Sequence, residues 1–403
     1  MGVRGFTRPA ARAGLAGHRS LGLGVEQMIS EADVQKLRAI HAHGPSVLSL
    51  YVWVPVDLPA LRELPARADG LLTVAAAGMD GQRTVRERQQ ERQTVRGMLR
   101  AHAREWMGHT AAIFACGEAG LAEAFPLPCL LPDRAVLAVR PHVRPLLVAL
   151  QRCPAYQVAV VNRRHAWIFQ IAGPRIDTLA ESAAPGVRSR VFGGWYGLES
   201  YRISQRITQL ARHHYRDTAA ILSQVGRGSR EPLVVGGHQD TVPAFLAVLP
   251  GDVRERFIGS FVVDPHTMTA ARVRELSAPV VANWVSQREQ QLAAQILAEP
   301  PDGLTAAGLN SCLAAVNQHA VRVLVVPVGG LIPGFACRVC GTLACAPGRC
   351  PHQPPTVHPV PDLLEEMAAA TLDDGGEVDA VRDPPGDVAA RLRFPLAAVP
   401  GAS

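Results

Sequence analysis

Arg188-Ser-Arg-Val-Phe-Gly-Gly-Trp-Tyr-Gly-Leu-Glu-Ser-Tyr-Arg-Ile-Ser-Gln-Arg206, running on to His213-His214-Tyr215, is the stretch on which the reading of this chain turns. Gly193, Gly194 and Gly197 sit in a basic, aromatic loop that feeds into a long helical pattern. Glycine lets a backbone take positive φ or come close to a partner. Beyond the loop, Ile203, Ile207, Leu210, His214, Ile221 and Leu222 fall near one helical face. Arg202, Arg206, Gln209, His213 and Arg216 collect on the other. A glycine-rich tip on a helix with an arginine stripe suits entry into an anionic cavity. The bland alternative is a plain loop before an amphipathic helix with a solvated face.

At 403 residues the chain is long enough for two or three domains. Its 48% hydrophobic content supplies several cores, and no apolar run approaches the roughly 18 residues of a membrane span. The net charge is +6, and Lys36 is the lone lysine among 41 basic residues. Arginine's planar fork suits bidentate phosphate contacts better than lysine does. Between Val187 and Glu231 eight arginines (188, 190, 202, 206, 212, 216, 227, 230) stand against Glu199, Asp217 and Glu231. From Pro361 to Arg391 the balance reverses, with nine acids. This polarity points to a nucleic-acid-facing middle and an acidic far end.

Residues 1–27 read as a disordered basic tail without the apolar core of a signal peptide, and Met28 is an alternative start. Residues 28–153 read as an N-terminal α/β domain. It has strands at 46–55, 111–116 and 134–139 and an exposed helix at 82–107. The middle domain, 154–268, opens with a hairpin. Tyr156-Gln-Val-Ala-Val-Val turns at Asn162-Arg-Arg and returns through Ala166-Trp-Ile-Phe-Gln-Ile. The Gly-rich loop 188–199 and a helix to about Leu222 follow, then strands at 233–237 and 257–263, giving a mixed sheet with the loop at the helix N-terminus. Helix N-termini favour anions through unpaired N–H groups. The C-terminal α/β domain, 269–403, begins with helices at 270–298 and 303–319. It continues with a strand at 321–327, a helix from Pro361 and strands at 377–381 and 388–394.

Cys116, Cys129, Cys153 and Cys312 lie in apolar surroundings and read as buried thiols. The other four cysteines fall between 337 and 350. Cys337-Arg-Val-Cys340-Gly is half of a zinc knuckle, two thiolates two residues apart with glycine permitting the turn around the ion. The remaining ligands come from Cys345, Cys350 and His352. Cys345 with Cys350 makes a four-thiolate site; Cys350 with His352 makes a three-thiolate one. The expected cofactor is a structural zinc in an insert spanning 334–355, whose fold depends on the ion. Such usage fits a reducing, cytoplasmic setting.

The order of these parts resembles the archaeo-eukaryotic class I release-factor superfamily. Within it, the chain looks like the bacterial branch related to Pelota, which includes ribosome-hibernation proteins of the Balon kind. The resemblance is carried by Tyr156-Gln-Val-Ala-Val-Val with its arginine turn and by the Gly193-Gly194-Trp195 loop. Arg206 to His213-His214-Tyr215, Leu233-Val-Val-Gly-Gly-His and the Cys337/Cys340 pair add to it. It covers about residues 30–395. It implies an L7Ae-like fold for the last domain, the ribosome with its rRNA and tRNA as partner, a translational GTPase as a candidate second partner, and a monomer.

In that superfamily a Gly-Gly-Gln tip enters the peptidyl-transferase centre and promotes attack of water on the peptidyl-tRNA ester. Here Trp195 follows Gly193-Gly194. Counting back from His213-His214-Tyr215 instead puts Gly197-Leu198-Glu199 at the triplet, so the glutamine is missing either way. Negative charge builds on the ester oxygen in the transition state. A Glu199 carboxylate repels that charge, although it is a conceivable base for water. Trp195 offers stacking on a base. The loop therefore suits occupation of the centre, through Gly193, Gly194, Trp195 and Gly197, better than hydrolysis. Arg188, Arg190, Arg202, Arg206 and Arg216 are the expected RNA contacts. Two other readings remain: a peptidyl-tRNA ester hydrolase using Glu199, and a non-ribosomal RNA-binding protein.

Overall fold

Val47–Trp53 is an uncharged run that is almost wholly buried, and in the computed structural model it forms an inner strand of the N-terminal sheet. The structure describes residues 29–42, 44, 46–77, 85–173, 175–184, 198–264, 268–298, 303–347 and 357–396. Helix α1 (Glu31–Arg38) starts at a capping box in which Ser30 and Asp33 bond each other's backbone N–H. Strand β1 (Val47–Trp53) follows, then α2 (Leu58–Ala76) and α3 (Val85–His102). Next come β2 (Thr110–Cys116), β3 (Leu121–Leu127), β4 (Arg134–Ala138) and α4 (Arg144–Arg152). The sheet order is β3-β2-β1-β4, antiparallel throughout. On one face Leu48, Leu50 and Val52 pack with Leu64, Leu99 and Trp106 of the helical layer. The other face carries Tyr51 and Phe114.

The middle domain contains β5 (Tyr156–Val161), β6 (His165–Ala172), β7 (Arg175–Ala183), α5 (Leu198–Val225) and β8 (Leu233–Gly237). It closes with α6 (Thr241–Leu246), α7 (Gly251–Arg256) and β9 (Phe257–Val262). The order β7-β6-β5-β8-β9 is a mixed sheet, antiparallel from β5 to β7 and parallel from β5 to β9. Ala211, Tyr215, Ala219 and Leu222 of α5 cover one face, and α8 (Ala270–Leu297) covers the other through Val273, Val281 and Val285. The expected mixed sheet, hairpin and long helix are all present.

The last part comprises β10 (Thr305–Ala307), α9 (Leu309–Asn317), β11 (Val321–Pro327), β12 (Gly334–Cys337) and β13 (Leu343–Ala344). It ends with β14 (Val357–Val360), α10 (Leu363–Asp373), β15 (Glu377–Val381) and β16 (Ala389–Leu392). The helix expected over 303–319 is shorter. Thr305–Ala307 pairs with β16 instead, and Gly308, at φ +86, turns the chain into α9. A four-stranded sheet, β10-β16-β11-β15, stands beside a small one, β13-β12-β14.

The N- and C-terminal parts share one continuous core, in which Tyr51, Phe114 and Leu146 join Leu313, Leu363, Met367 and Val378. A buried polar cluster holds the junction. The Glu365 carboxylate accepts from the N–H groups of Val143 and Arg144, both at 2.8 Å, and so caps α4 from another part of the chain. Arg144, 1% exposed, donates to Asp362 at 2.8 Å and to the carbonyls of Pro327 (2.8 Å) and Gly330 (2.6 Å). His142 Nε2 donates to the same Asp362 oxygen at 2.9 Å, and Tyr51 donates to the His142 carbonyl at 2.5 Å. His142, Asp362 and Glu365 have metal-ligand spacing. Arg144 already places a cation on Asp362, so the cluster is a latch.

Candidate nucleic-acid interface

The strand order fixes where the site lies. From β5 the chain turns to β6 on one side, and the sheet resumes at β8 on the other. The carboxyl ends of β5 and β8 therefore flank a crevice, the usual ligand position in an open α/β sheet. β7 ends at the same edge, and α5 begins there before running back across the sheet.

At this edge the Asn162 side chain accepts from the N–H groups of Arg164 and His165, both at 2.7 Å. This Asx turn leaves Arg163, Arg164 and His165 exposed. His165 stacks on Trp167, ring centroids 5.7 Å apart. Across the crevice stand His238, Asp240, Thr241 and Asp264, and the whole encloses a cleft of ≈ 680 Å³. The sequence reading singled out the arginine turn only as a mark of resemblance. Its place beside α5 follows from strand pairing across the sheet, which no local pattern encodes.

On α5 the described part of the arginine stripe is as expected: Arg206, Gln209, His213 and Arg216 are all exposed, as is Arg212. The apolar face needs correction. Residues 205–209 are exposed, Ile207 at 39%, and burial begins at Ala211. Over residues 205–209 the helix runs past the sheet beneath it, and this stretch stays exposed. His214 is buried, and desolvation pushes its pKa below the usual histidine range. Tyr215 packs edge-on against Phe245 at 5.9 Å, with its pKa raised by burial. Both therefore serve packing, not RNA contact.

Glu199 and Arg202 belong to α5 by backbone, Glu199 in its first turn. Arg188, Arg190, Gly193, Gly194, Trp195 and Gly197 lie outside the described residues, as does the tail 1–27.

In the cysteine region Cys337 ends β12 and Cys340 lies in the turn that follows. Gly341 N–H donates to the Cys337 carbonyl at 2.9 Å, with Gly341 at φ +73 allowing the turn. Cys345 stands apart from it. The β12–β13 register pairs Phe335 with Ala344, so Cys345 falls three strand positions, about 10 Å, beyond Cys337. Its thiol points to Asn310 Oδ1 at 3.5 Å. Cys350 and His352 lie outside the described residues. Among the described residues, no helix is long and apolar enough to cross a membrane.

Residues 141–290, spanning α4 to most of α8, match the model of bacterial archaeo-eukaryotic release factor family 10. No curated protein matches the chain. Among solved structures it is similar to the archaeal translation termination factor aRF1, 15% identical over 90% of this chain and 96% of that one, with a TM-score of 0.24. It is similar to Archaeoglobus fulgidus Pelota, 14% identical over 72% and 81%, with a TM-score of 0.35. It is also similar to S. cerevisiae Dom34, a translation termination-like factor, 9% identical over 72% and 80%, with a TM-score of 0.41. Over residues 141–290, which include the whole middle domain, the chain is thus similar to the bacterial archaeo-eukaryotic release factors.

Proposed function

We propose that this chain is a ribosome-binding translation factor, acting in hibernation or rescue, whose middle domain reaches from the A site toward the peptidyl-transferase centre. The observation that carries the reading is the projecting end of α5. Residues 205–209 stand clear of the sheet with Arg206 in solvent, Arg212 and Arg216 follow on the exposed face of the packed part, and Arg163 and Arg164 lie at the same edge. Exposed arginines of this kind neutralise phosphate and release counterions on binding. The loop ahead of the helix occupies the centre. Without the glutamine of the Gly-Gly-Gln tip, efficient ester hydrolysis is not its task. A translational GTPase is the second partner class. The cysteine hairpin holds a structural zinc through Cys337 and Cys340, completed by Cys350 and His352, because Cys345 is out of reach of the knuckle.

The test is co-sedimentation with ribosomes from stationary cells. The chain is expected in the ribosomal pellet at low salt and released as salt rises. Reversing Arg206, Arg212 and Arg216 together shifts release to lower salt; absence from the pellet at every salt concentration sinks the proposal. Peptide release from pre-loaded ribosomes tests the hydrolytic reading. Release by the wild type that is lost in Glu199→Gln would establish it.

A further inference from the structure

The described arginines of the basic segment fall in two places. Arg206, Arg212 and Arg216 lie on the exposed face of α5, Arg206 toward its N-terminal end. Arg227 and Arg230 stand past its other end, about 30 Å from Arg206 at the rise of an α-helix. There they border an open cleft of ≈ 650 Å³ with Arg256 of α7 and Trp284 of α8. Arg227 and Arg230 are exposed, and among the described residues neither has an ion-pair partner.

Arg256 is held in place. Its Nη1 donates to Oε1 of Gln157, a side chain 2% exposed, at 3.0 Å. Its guanidinium lies so close to Gly226 that any Cβ there would overlap it. Asp252 and Glu255 of α7 also line the cleft, so it is not a uniformly positive sink. A bare phosphate or a duplex backbone would meet those two carboxylates. A nucleotide presents phosphate on one side and base N–H donors on the other, with a flat face for an indole.

We infer that this cleft binds an unstacked nucleotide of single-stranded RNA, with its phosphates on Arg227 and Arg230, its base against Trp284 and its base edge toward Asp252 and Glu255. Guanine fits best, because its N1–H and N2–H groups meet one carboxylate together. The inference rests on the middle domain being an RNA-facing arm and gives that arm a second contact at its base.

Tryptophan fluorescence of the full chain tests it, with three probes: a single-stranded RNA decamer with guanine at alternate positions, decauridine, and free GMP. The guanine decamer should quench and bind more tightly than decauridine. Trp284→Phe, which keeps a ring in the core, should remove most of the quench and weaken binding about tenfold. Arg227→Glu with Arg230→Glu, both exposed, should lower the salt slope by about 1.4 at two phosphates. Asp252→Asn with Glu255→Gln should erase the preference for guanine. Reversing Arg206 and Arg216 should leave the quench intact while reducing ribosome binding. Quench and affinity unchanged in both Trp284→Phe and the Arg227/Arg230 pair would overturn the inference. GMP binding as tightly as the decamer would overturn its RNA assignment. Quenching that persists in a chain that does not sediment with ribosomes would leave the cleft standing and remove the ribosomal function.

Discussion

Arg144 and Arg206 are the same side chain in opposite settings. Arg144 is 1% exposed, and its guanidinium donates to Asp362, Pro327 and Gly330. Arg206 lies in solvent on a helix that has run past its sheet, with no partner among the described residues. Burying a charge is costly unless it is paired and hydrogen-bonded, so Arg144 is committed to its partners and locks the N- and C-terminal parts together. Arg206 holds its charge for something outside the chain. One region of the molecule is a core closed by paired charges, and the other is a helix whose described arginines face solvent.

The contrast breaks most visibly at the latch. Asp362→Ala leaves Arg144 and His142 without their shared carboxylate, and it should cost about 3–5 kcal/mol in chemical denaturation. A loss below about 1 kcal/mol would mean that the two parts are not held there.

Acid should act on the same group. Burial alone would raise the Asp362 pKa, but hydrogen bonds and charge from His142 and Arg144 hold it at about 2, below its ordinary 3.8. A carboxyl depressed in the folded state stabilises above its unfolded pKa, and that stability is lost as pH falls through the folded value. The chain should therefore lose roughly 2 kcal/mol between about pH 4 and pH 2. In Asp362→Asn this part of the pH dependence should be flat; the same acid slope in the variant would assign it to other groups.

The arm should behave oppositely. Reversing Arg206, Arg212 and Arg216 should change folding stability by less than about 0.5 kcal/mol, because the residues touch no core. The same variant should lower the salt slope of RNA binding by about 2 to 3. A large stability loss with an unchanged slope would reverse the roles given to the two regions.

The smallest effect belongs to Cys345. Cys345→Ser should leave the zinc content of the purified chain, measured by atomic emission, at its wild-type value, whereas Cys340→Ser should abolish it. Loss of zinc in both would restore Cys345 as a ligand.

How much of this was legible depended on whether the signal was local. β1, β5 and α8 were visible because uncharged runs and a long helical pattern name themselves. α2 went unread: it contains Pro59, Pro65 and Gly70, which blur a helical pattern although Pro59 sits in the first turn, where proline is tolerated. His142 and Arg144 carried no hint of burial, because a polar residue counts as surface until its partner, here more than 200 residues away, is known. The register of α5 failed for a related reason. Periodicity placed Ile207 inward, but nothing in the helix says where the sheet under it ends. The pairing of the arginine turn with α5 required the strand contacts of the sheet, and the separation of Arg206 from Arg227 and Arg230 required both of its ends.

The central claim is that the arm enters the peptidyl-transferase centre. The most direct measurement is the puromycin reaction of ribosomes carrying peptidyl-tRNA, followed as the chain is titrated in. If the glycine loop fills the centre, one chain per ribosome should block transfer of peptide to puromycin, without itself releasing peptide, and deleting residues 190–197 should abolish the block. Undiminished puromycin reactivity on ribosomes saturated with the chain would contradict the account.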